Sequence, residues 1–434
     1  MRILHLLSQR PGRSGSGVFL AALVREAARR GYEQHAIAAG PPGTSAAELP
    51  PLVDGQLTPI LFPSPEAPFP VPGNSDVMPY PSTVFSRMTE AQIEMYLGAC
   101  RRVMEEVRDR FQPDLVHAHH LWLMTALARD VFADRPVIAT SHNAELRQLV
   151  KAPHLAPRVL PGVRGLDRVG VLTPRSVDDT IHAFGVSPER IELTGAGFRG
   201  DWFTAPERPR QEILGELRER FGIALPDGSD RSVGFRFVTF VARLSTAKGV
   251  PFLLEAVAKL AAPELRLLLV GASGSGEDGL RMDAAVAAAG PGVLHLGAQP
   301  QEAVARLLQV SDAFVLPSLF EGLPLTMLEA LGCGCPAVVS ALPTIASWVP
   351  PAWREAGWVD LVPALATTRA DEPVAADVPR FVADLAAALS RRLAHRPTLG
   401  ERREIAAALR PHTWSAVFDR YERIYDELCV ELVV

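Results

Sequence analysis

RILHLLSQRPGRSGSGVFLAALVREAARRGYEQHAIAA, residues 2–39, holds one complete repeat of an α/β fold. RILHLL (Arg2–Leu7) is a short apolar run with the length and composition of a buried strand. From Phe19 to Arg30 the period changes. Phe19, Leu20, Leu23, Val24 and Ala27 fall on one helical face, Arg25, Glu26, Arg29 and Arg30 fall opposite, and Gly31 is a stop signal. QHAIAA (Gln34–Ala39) then reads as a second strand. Two strands joined through one helix form a parallel pair, because a crossover returns the chain to the same edge.

The rhythm continues through LVHAH (Leu115–His119), PVIATSH (Pro136–His142), RVGVLT (Arg168–Thr173) and IELTGA (Ile191–Ala196), which predicts a first α/β domain over 1–205. Prolines and charges around one helical stretch, Gln211–Phe221, mark 206–230 as a linker region. FRFVTFVAR (Phe235–Arg243) restarts the pattern. LRLLLVG (Leu265–Gly271), VLHLGA (Val293–Ala298), AFVLPS (Ala313–Ser318) and PAVVSA (Pro336–Ala341) follow, with helices predicted at Val250–Leu260, Arg281–Ala289 and Gln301–Val310. These make a second α/β domain over 231–412. A last helix, Trp414–Val430 within 413–434, presents Trp414, Val417, Tyr421, Ile424 and Leu428 on one face and is expected to return to the first domain. Pro63–Thr83 has too many prolines for helix or strand and reads as a long, ordered loop.

With 434 residues the chain exceeds one ordinary core, which agrees with two domains. Its 48% hydrophobic and 21% charged residues exclude a disordered chain. A net charge of −5 gives no support to nucleic acid or an anionic membrane as partner. Cys100, Cys333, Cys335 and Cys429 are too few for a secreted disulfide framework, His5, Ser8, Gln9 and Arg10 interrupt any signal-like stretch, and no apolar run is long enough to span a bilayer. A cytoplasmic protein is expected, and the preference for Arg over Lys, with abundant Ala and Pro, suggests a GC-rich bacterial genome.

The chemistry-bearing residues cluster where strands end and helices begin. Gly12-Arg-Ser-Gly-Ser-Gly17 joins the first strand to the first helix, where free backbone N–H groups and the helix dipole can receive an anion. Gly271-Ala-Ser-Gly-Ser-Gly276 has the wrong spacing for a dinucleotide fingerprint, and no Walker A motif occurs. Arg243-Leu-Ser-Thr-Ala-Lys248-Gly249 places two cations five residues apart, a pattern that can bracket a diphosphate. Ser318-Leu-Phe-Glu321-Gly-Leu-Pro324-Leu-Thr-Met-Leu-Glu329 joins a strand to a helix whose first turn suits Pro324, with carboxylates on either side of the helix start. His117, His119 and His120 lack a second group of ligands, so no metal site is expected.

F-V-A-R-L-S-T-A-K-G (Phe240–Gly249), the E-x7-E pair Glu321/Glu329, D-L-V-H-A-H (Asp114–His119), A-T-S-H (Ala139–His142) and T-W-x-x-V-F-D-R-Y-x-x-I-Y (Thr413–Tyr425) together resemble retaining glycosyltransferase family 4. The resemblance implies the GT-B fold: two Rossmann-like, doubly wound parallel-sheet domains facing a central cleft. It implies transfer of a sugar from a UDP- or GDP-sugar to a small, soluble acceptor, with retention and without a metal or other cofactor, in a setting such as bacterial secondary metabolism. Arg243 and Lys248 would hold the diphosphate and Glu329 the ribose. Glu321, with the backbone of Gly322 and Leu323, would orient the sugar, His142 would lie against it, and Gly15 and Gly17 would close over the phosphates. Asp76 and Tyr80 in Asn74–Thr83, with His119 and His120, are the acceptor candidates. Thr194–Phe198 departs from the family's P-N-G-[VI]-D turn. A nucleotide-sugar epimerase and a non-catalytic nucleotide-sugar-binding protein are the rival readings.

Overall fold

The structure, a computed structural model, describes residues 1–12, 14–75, 78, 80–226, 234–274, 276–369 and 372–430. The chain divides into two compact units, Met1–Gly197 with Trp414–Val434, and Phe198–Thr413. The division therefore falls at Gly197/Phe198 rather than after residue 205, and the 206–230 segment belongs to the second unit. Its helix Arg210–Phe221 buries Ile213, Leu214 and Leu217 and packs on the helix Gln301–Val310, so these residues are part of the unit's fold rather than a linker.

Unit 1 contains β1 (Arg2–Leu7), α1 (Gly15–Arg29), β2 (Glu33–Gly40), β3 (Leu57–Leu61), β4 (Pro72–Gly73), β5 (Thr83–Val84), α2 (Glu90–Phe111), β6 (Leu115–His119), α3 (Leu123–Val131), β7 (Val137–Thr140), α4 (Ala144–Lys151), α5 (Ala156–Arg164), β8 (Arg168–Val171), α6 (Pro174–Phe184) and β9 (Ile191–Leu193). Its sheet is parallel with order β3-β2-β1-β6-β7-β8-β9. Strand order reverses between β1 and β6, where Leu7 lies opposite His119. The helix predicted from Phe19 begins at Gly15, since the Ser14 hydroxyl caps it by accepting from the Gly17 N–H at 3.2 Å. Its polar first turn carries no apolar periodicity and so was invisible to a pattern of buried residues. The Pro63–Thr83 loop is not wholly extended: β4 and β5 pair within it, and Phe69 and Val71 are buried against the sheet.

Unit 2 contains α7 (Arg210–Phe221), β10 (Arg236–Val241), α8 (Val250–Leu260), β11 (Leu265–Val270), α9 (Glu277–Ala288), β12 (Val293–Gly297), α10 (Gln301–Val310), β13 (Ala313–Leu316), α11 (Leu325–Gly332), β14 (Ala337–Ser340), α12 (Pro343–Trp348), α13 (Pro351–Glu355), β15 (Val359–Val362), β16 (Thr367–Arg369), β17 (Glu372–Pro373), α14 (Val378–Leu393) and α15 (Leu399–Ala408). Its parallel sheet runs β12-β11-β10-β13-β14-β15 and reverses between β10 and β13. Both sheets thus place their topological switch point, the usual ligand crevice of open α/β sheets, at the carboxyl end of their first strand.

The last helix, α16 (Trp414–Val430), belongs to unit 1. Tyr421 and Tyr425 are fully buried, and their hydroxyls meet the strands. The Tyr421 hydroxyl lies 2.7 Å from Thr140 Oγ1 and 2.9 Å from Thr194 Oγ1, and that of Tyr425 lies 2.7 Å from His117 Nδ1. At the helix edge Arg30 of unit 1 pairs with Asp419 and Glu422. Apolar burial supplies the bulk of such docking, and the buried hydroxyls fix its register. Tyr421→Phe is therefore expected to lose about 1–3 kcal/mol, the cost of leaving buried polar groups short of a partner. A urea unfolding curve checks this, and an unchanged midpoint would mean that the apolar face alone seats the helix.

Candidate active site

In unit 2 the switch point brings together two loops. After β10, the Ser245 hydroxyl accepts from the Lys248 N–H at 3.3 Å, which curls the chain toward α8. Gly249 follows at φ +79°, and a Cβ there would lie 2.0 Å from the Pro317 carbonyl oxygen, so only glycine allows the two loops to approach. The Leu319 N–H donates to the Ala247 carbonyl at 2.9 Å and closes the contact. This backbone seam places Lys248 Nζ 2.6 Å from Glu321 Oε1, which also accepts from the Ser318 hydroxyl at 2.8 Å. The Thr344 hydroxyl holds the Glu321 carbonyl at 2.9 Å.

Arg243 lies half-buried at the same edge, and its guanidinium makes no hydrogen bond or ion pair among the described residues. Beyond Glu321, Gly322 is half-buried and Leu323 buried. Pro324 is the N-cap of α11 rather than its first helical residue, and no side chain caps that helix. The Met327 N–H donates to the Pro324 carbonyl at 3.1 Å, and the N–H groups of Leu325 and Thr326 before it have no intrahelical partner. Glu329, on the next turn, is only 8% exposed rather than solvated, and its carboxyl has no hydrogen-bond partner among the described residues. Burial pushes that carboxyl up to about 7. The arrangement offers two cations, a helix N-terminus and two carboxylates, a set that recognises a phosphorylated polyol by charge at one end and by hydroxyl bonding at the other.

In unit 1 the switch point gathers imidazoles around one buried acid. Gln9 Nε2 donates to Ser14 Oγ at 2.8 Å, touches Ser16 Oγ and lies 3.3 Å from His120 Nε2, tying the glycine loop to the end of β6. Gly17 is pressed against the Gly12 backbone, whereas Gly15 faces open space. His120 adopts the left-handed region at φ +73° and sets its Nδ1 3.2 Å from Glu145 Oε2. Glu145 is 0% exposed and also accepts from the His142 N–H at 3.0 Å. Burial raises its carboxyl, but the His120 hydrogen bond and the surrounding imidazoles outweigh this and bring it to about 2.

His119 Nδ1 lies 3.1 Å from His142 Nε2. Burial and then the neighbouring rings hold both well below the ordinary imidazole range, so both are neutral at pH 7. Phe19 packs edge-on against each. His119 Nε2 has no partner among the described residues. His117 is structural instead, bonded by Tyr425 and by Thr140 at 2.8 Å. Tyr80 sits at the end of β1, its hydroxyl accepting from the Arg10 N–H at 3.3 Å and raised to about 12 by burial. Asn74 Nδ2 donates to Ser8 Oγ at 3.0 Å. Asp76 lies outside the described residues.

Of the sequence candidates, Arg243, Lys248, Glu321, Gly322, Leu323 and Glu329 thus share the carboxyl edge of the unit 2 sheet. Gly15, Gly17, Tyr80, His119, His120 and His142 share that of unit 1. Gln9 and Glu145 escaped the sequence reading. Glu145 had a signal: an acid three residues after His142, the spacing at which a carboxylate reaches back to a backbone N–H.

Residues 13–198 match the family model described as Glycosyltransferase Family 4, and residues 226–353 match that described as Glycosyl transferases group 1. The chain is 30% identical over 256 residues to D-inositol 3-phosphate glycosyltransferase of Mycobacteroides abscessus, covering 55% of this chain and 53% of that one. It is 30% identical over 255 residues to the protein of that description in Mycobacterium tuberculosis, covering 55% and 49%. The chain thus spans about half the length of the curated relatives it matches. Among solved structures, sucrose-phosphate synthase from Thermosynechococcus elongatus superposes with a TM-score of 0.67 at 19% identity, covering 99% of this chain and 100% of that one. HepE of Anabaena in complex with UDP and glucose superposes with a TM-score of 0.62 at 16% identity, over 99% and 100%. On these matches and on its two parallel-sheet domains, the chain belongs to the group 1, family 4 glycosyltransferases and has the GT-B fold.

Proposed function

We propose that the protein transfers a sugar from a UDP- or GDP-sugar to a small acceptor, with retention of configuration and without a metal ion. The observation that carries this reading is the Lys248–Glu321 pair beside the Arg243 guanidinium, which has no partner among the described residues, at the switch point of unit 2. When the bond between the sugar and the diphosphate breaks, negative charge builds on the leaving phosphate. Preorganised cations and an uncapped helix N-terminus stabilise that charge. Lys248 and Arg243 take the phosphates in this scheme, the buried Glu329 carboxylate accepts from ribose hydroxyls, and Glu321, held by Ser318, orients the sugar. The Gly15–Gly17 turn and His142 of unit 1 are assigned to phosphate and sugar. His119, His120 and Tyr80 are assigned to the acceptor. The mycobacterial relatives, named for transfer to an inositol phosphate, and the solved neighbour holding UDP and glucose support a nucleotide-sugar donor and a small polar acceptor.

Incubation with a panel of UDP- and GDP-hexoses tests the assignment. Acceptor-dependent release of nucleoside diphosphate supports it, and epimerised donor formed without acceptor would replace it with the epimerase reading. Arg243→Ala and Lys248→Ala are each expected to weaken nucleoside diphosphate binding by about 1.5–3 kcal/mol, the scale of a hydrogen bond to a charged group. Calorimetric titration reads this directly, and unchanged affinity in both variants removes the clamp.

A second expectation concerns pH. An acid whose free-state pKa stands near 7 must lose its proton before accepting from ribose, so binding releases a proton and affinity rises with pH up to about 7. Phosphate ionisation adds its own slope, which wild type and Glu329→Gln share. The difference between their affinity profiles should therefore grow from pH 5.5 to 7.5, and parallel profiles would exclude Glu329 from the ribose site. Turnover is expected to survive EDTA and to yield a product with the donor's anomeric configuration. An inverted product in the NMR coupling constants, or activity restored only by Mn²⁺, would overturn the mechanism.

A further inference from the structure

Unit 2 carries a second concentration of positive charge at the opposite edge of its sheet. A cavity of about 350 Å³ opens there between the start of α7, the end of α10 and the start of α15, lined among others by Arg210, Ile213, Asp312, Arg396, Leu399 and Arg402. Asp312 immediately precedes β13, and Arg236, beside it, begins β10, whereas Arg243, Lys248 and Glu321 follow the carboxyl ends of those strands. One strand length, roughly 15–20 Å, therefore separates the cavity from the donor loops.

The charges at the cavity do not balance. Asp312, 1% exposed, accepts from Arg396 Nε at 2.8 Å, from Arg236 Nη1 at 3.4 Å and from the Phe237 N–H at 2.8 Å, and Arg210 Nη2 lies 3.7 Å from it. Arg402 is a fourth guanidinium. It is itself buried, donates to the Ser311 carbonyl through Nη2, and leaves Nη1 without a partner among the described residues. Four guanidiniums line the cavity, Arg208, Arg210, Arg396 and Arg402, against two acids, Asp312 and the exposed Glu207; Arg236 adds its charge to Asp312 from beside the lining, and Arg208 shares Glu216 with Arg220 and Arg306. Burial lowers Arg210 to about 10; Asp312 opposes that shift, and the charges of Arg396, Arg402 and Arg236 add to it. The first turn of α7 adds backbone N–H groups that no side chain caps. Pro206, Ile213, Pro397 and Leu399 form an apolar wall beside the cations.

We propose that this cavity is a second ligand site, distinct from the donor loops, that binds a small phosphorylated metabolite. Guanidinium forks and an uncapped helix start suit the phosphate, for they supply planar donors and a positive dipole end. The volume exceeds what a bare phosphate fills and lies in the range of small-molecule pockets, so the apolar wall takes the organic part.

Calorimetric titration of glucose 6-phosphate into the full chain tests the site, with glucose and inorganic phosphate as controls. Saturable binding is expected in the wild type and, with the same affinity, in the Arg243→Ala/Lys248→Ala double variant. Glucose should give no heat, and inorganic phosphate should bind more weakly. Arg396→Gln and Leu399→Glu should each lose tenfold or more. Leu399 is 44% exposed, so its variant carries the test if Arg396→Gln fails to fold. The proposal falls if no saturable binding is seen, if binding disappears in the double variant, or if both lining variants bind as the wild type does. Inorganic phosphate binding as tightly as glucose 6-phosphate would overturn the metabolite assignment.

Discussion

The candidate site of unit 2 depends on one backbone approach, that of Gly249 to the Pro317 carbonyl. Without a Cβ, and at a φ that side chains avoid, Gly249 lets the loop after β10 lie directly on the loop after β13. The Leu319-to-Ala247 hydrogen bond then fixes the register of the two loops. Lys248 and Glu321, 73 residues apart in sequence, meet because of that seam and not because of their own attraction. The value of this partly buried ion pair lies in its being held ready. Arg243 and Glu329 complete the set with opposite debts to solvation: among the described residues the guanidinium lacks a counter-ion, and the carboxyl is buried without a donor. Both deficits suit a ligand that brings phosphate and hydroxyl together.

Unit 1 solves a different electrostatic problem at the same topological place. Its His119 and His142 rings are buried and neutral, and Glu145 beside them is ionised, kept charged by the His120 contact and the His142 N–H. The left-handed backbone at His120 turns the chain at the end of β6 and presents the ring to Glu145. Local strain of that kind persists where surrounding contacts determine it, and Thr125 and Gln9 hold the residue from either side. One switch point thus offers cations to a ligand, while the other offers neutral ring nitrogens and an amide.

Much of this architecture was legible because a parallel sheet covered on both faces writes its strands as apolar runs, and Leu115–His119 and Ala313–Ser318 are of that kind. Leu57–Leu61 was not legible. It carries Pro59, which argues against a strand, and it is tolerated because β3 is the edge of its sheet. At the site, Lys248 and Glu329 stood out by spacing, but the burial of Glu329 is a property of the packed helix and not of its neighbours in sequence. Gln9 was read only as a residue unsuited to a signal sequence. Its contacts with Ser14, Ser16 and His120 come from folding a strand end, a helix cap and a second strand onto one point, which no local pattern encodes.

The return of α16 to unit 1 has a consequence for how the molecule is made. Unit 2 is one uninterrupted stretch, Phe198–Thr413, whereas the helix that buries Tyr421 and Tyr425 against β6 and β7 is synthesised after it. Contacts such as Thr140 with Tyr421 and His117 with Tyr425 close over 281 and 308 residues, and loops of that span are slow to form. On the ribosome, the later-encoded unit has all of its chain first, while the earlier sheet waits with the hydroxyl of Thr140 and the ring of His117 still without their tyrosine partners. The order in which the two halves mature is therefore the reverse of the order in which they are begun.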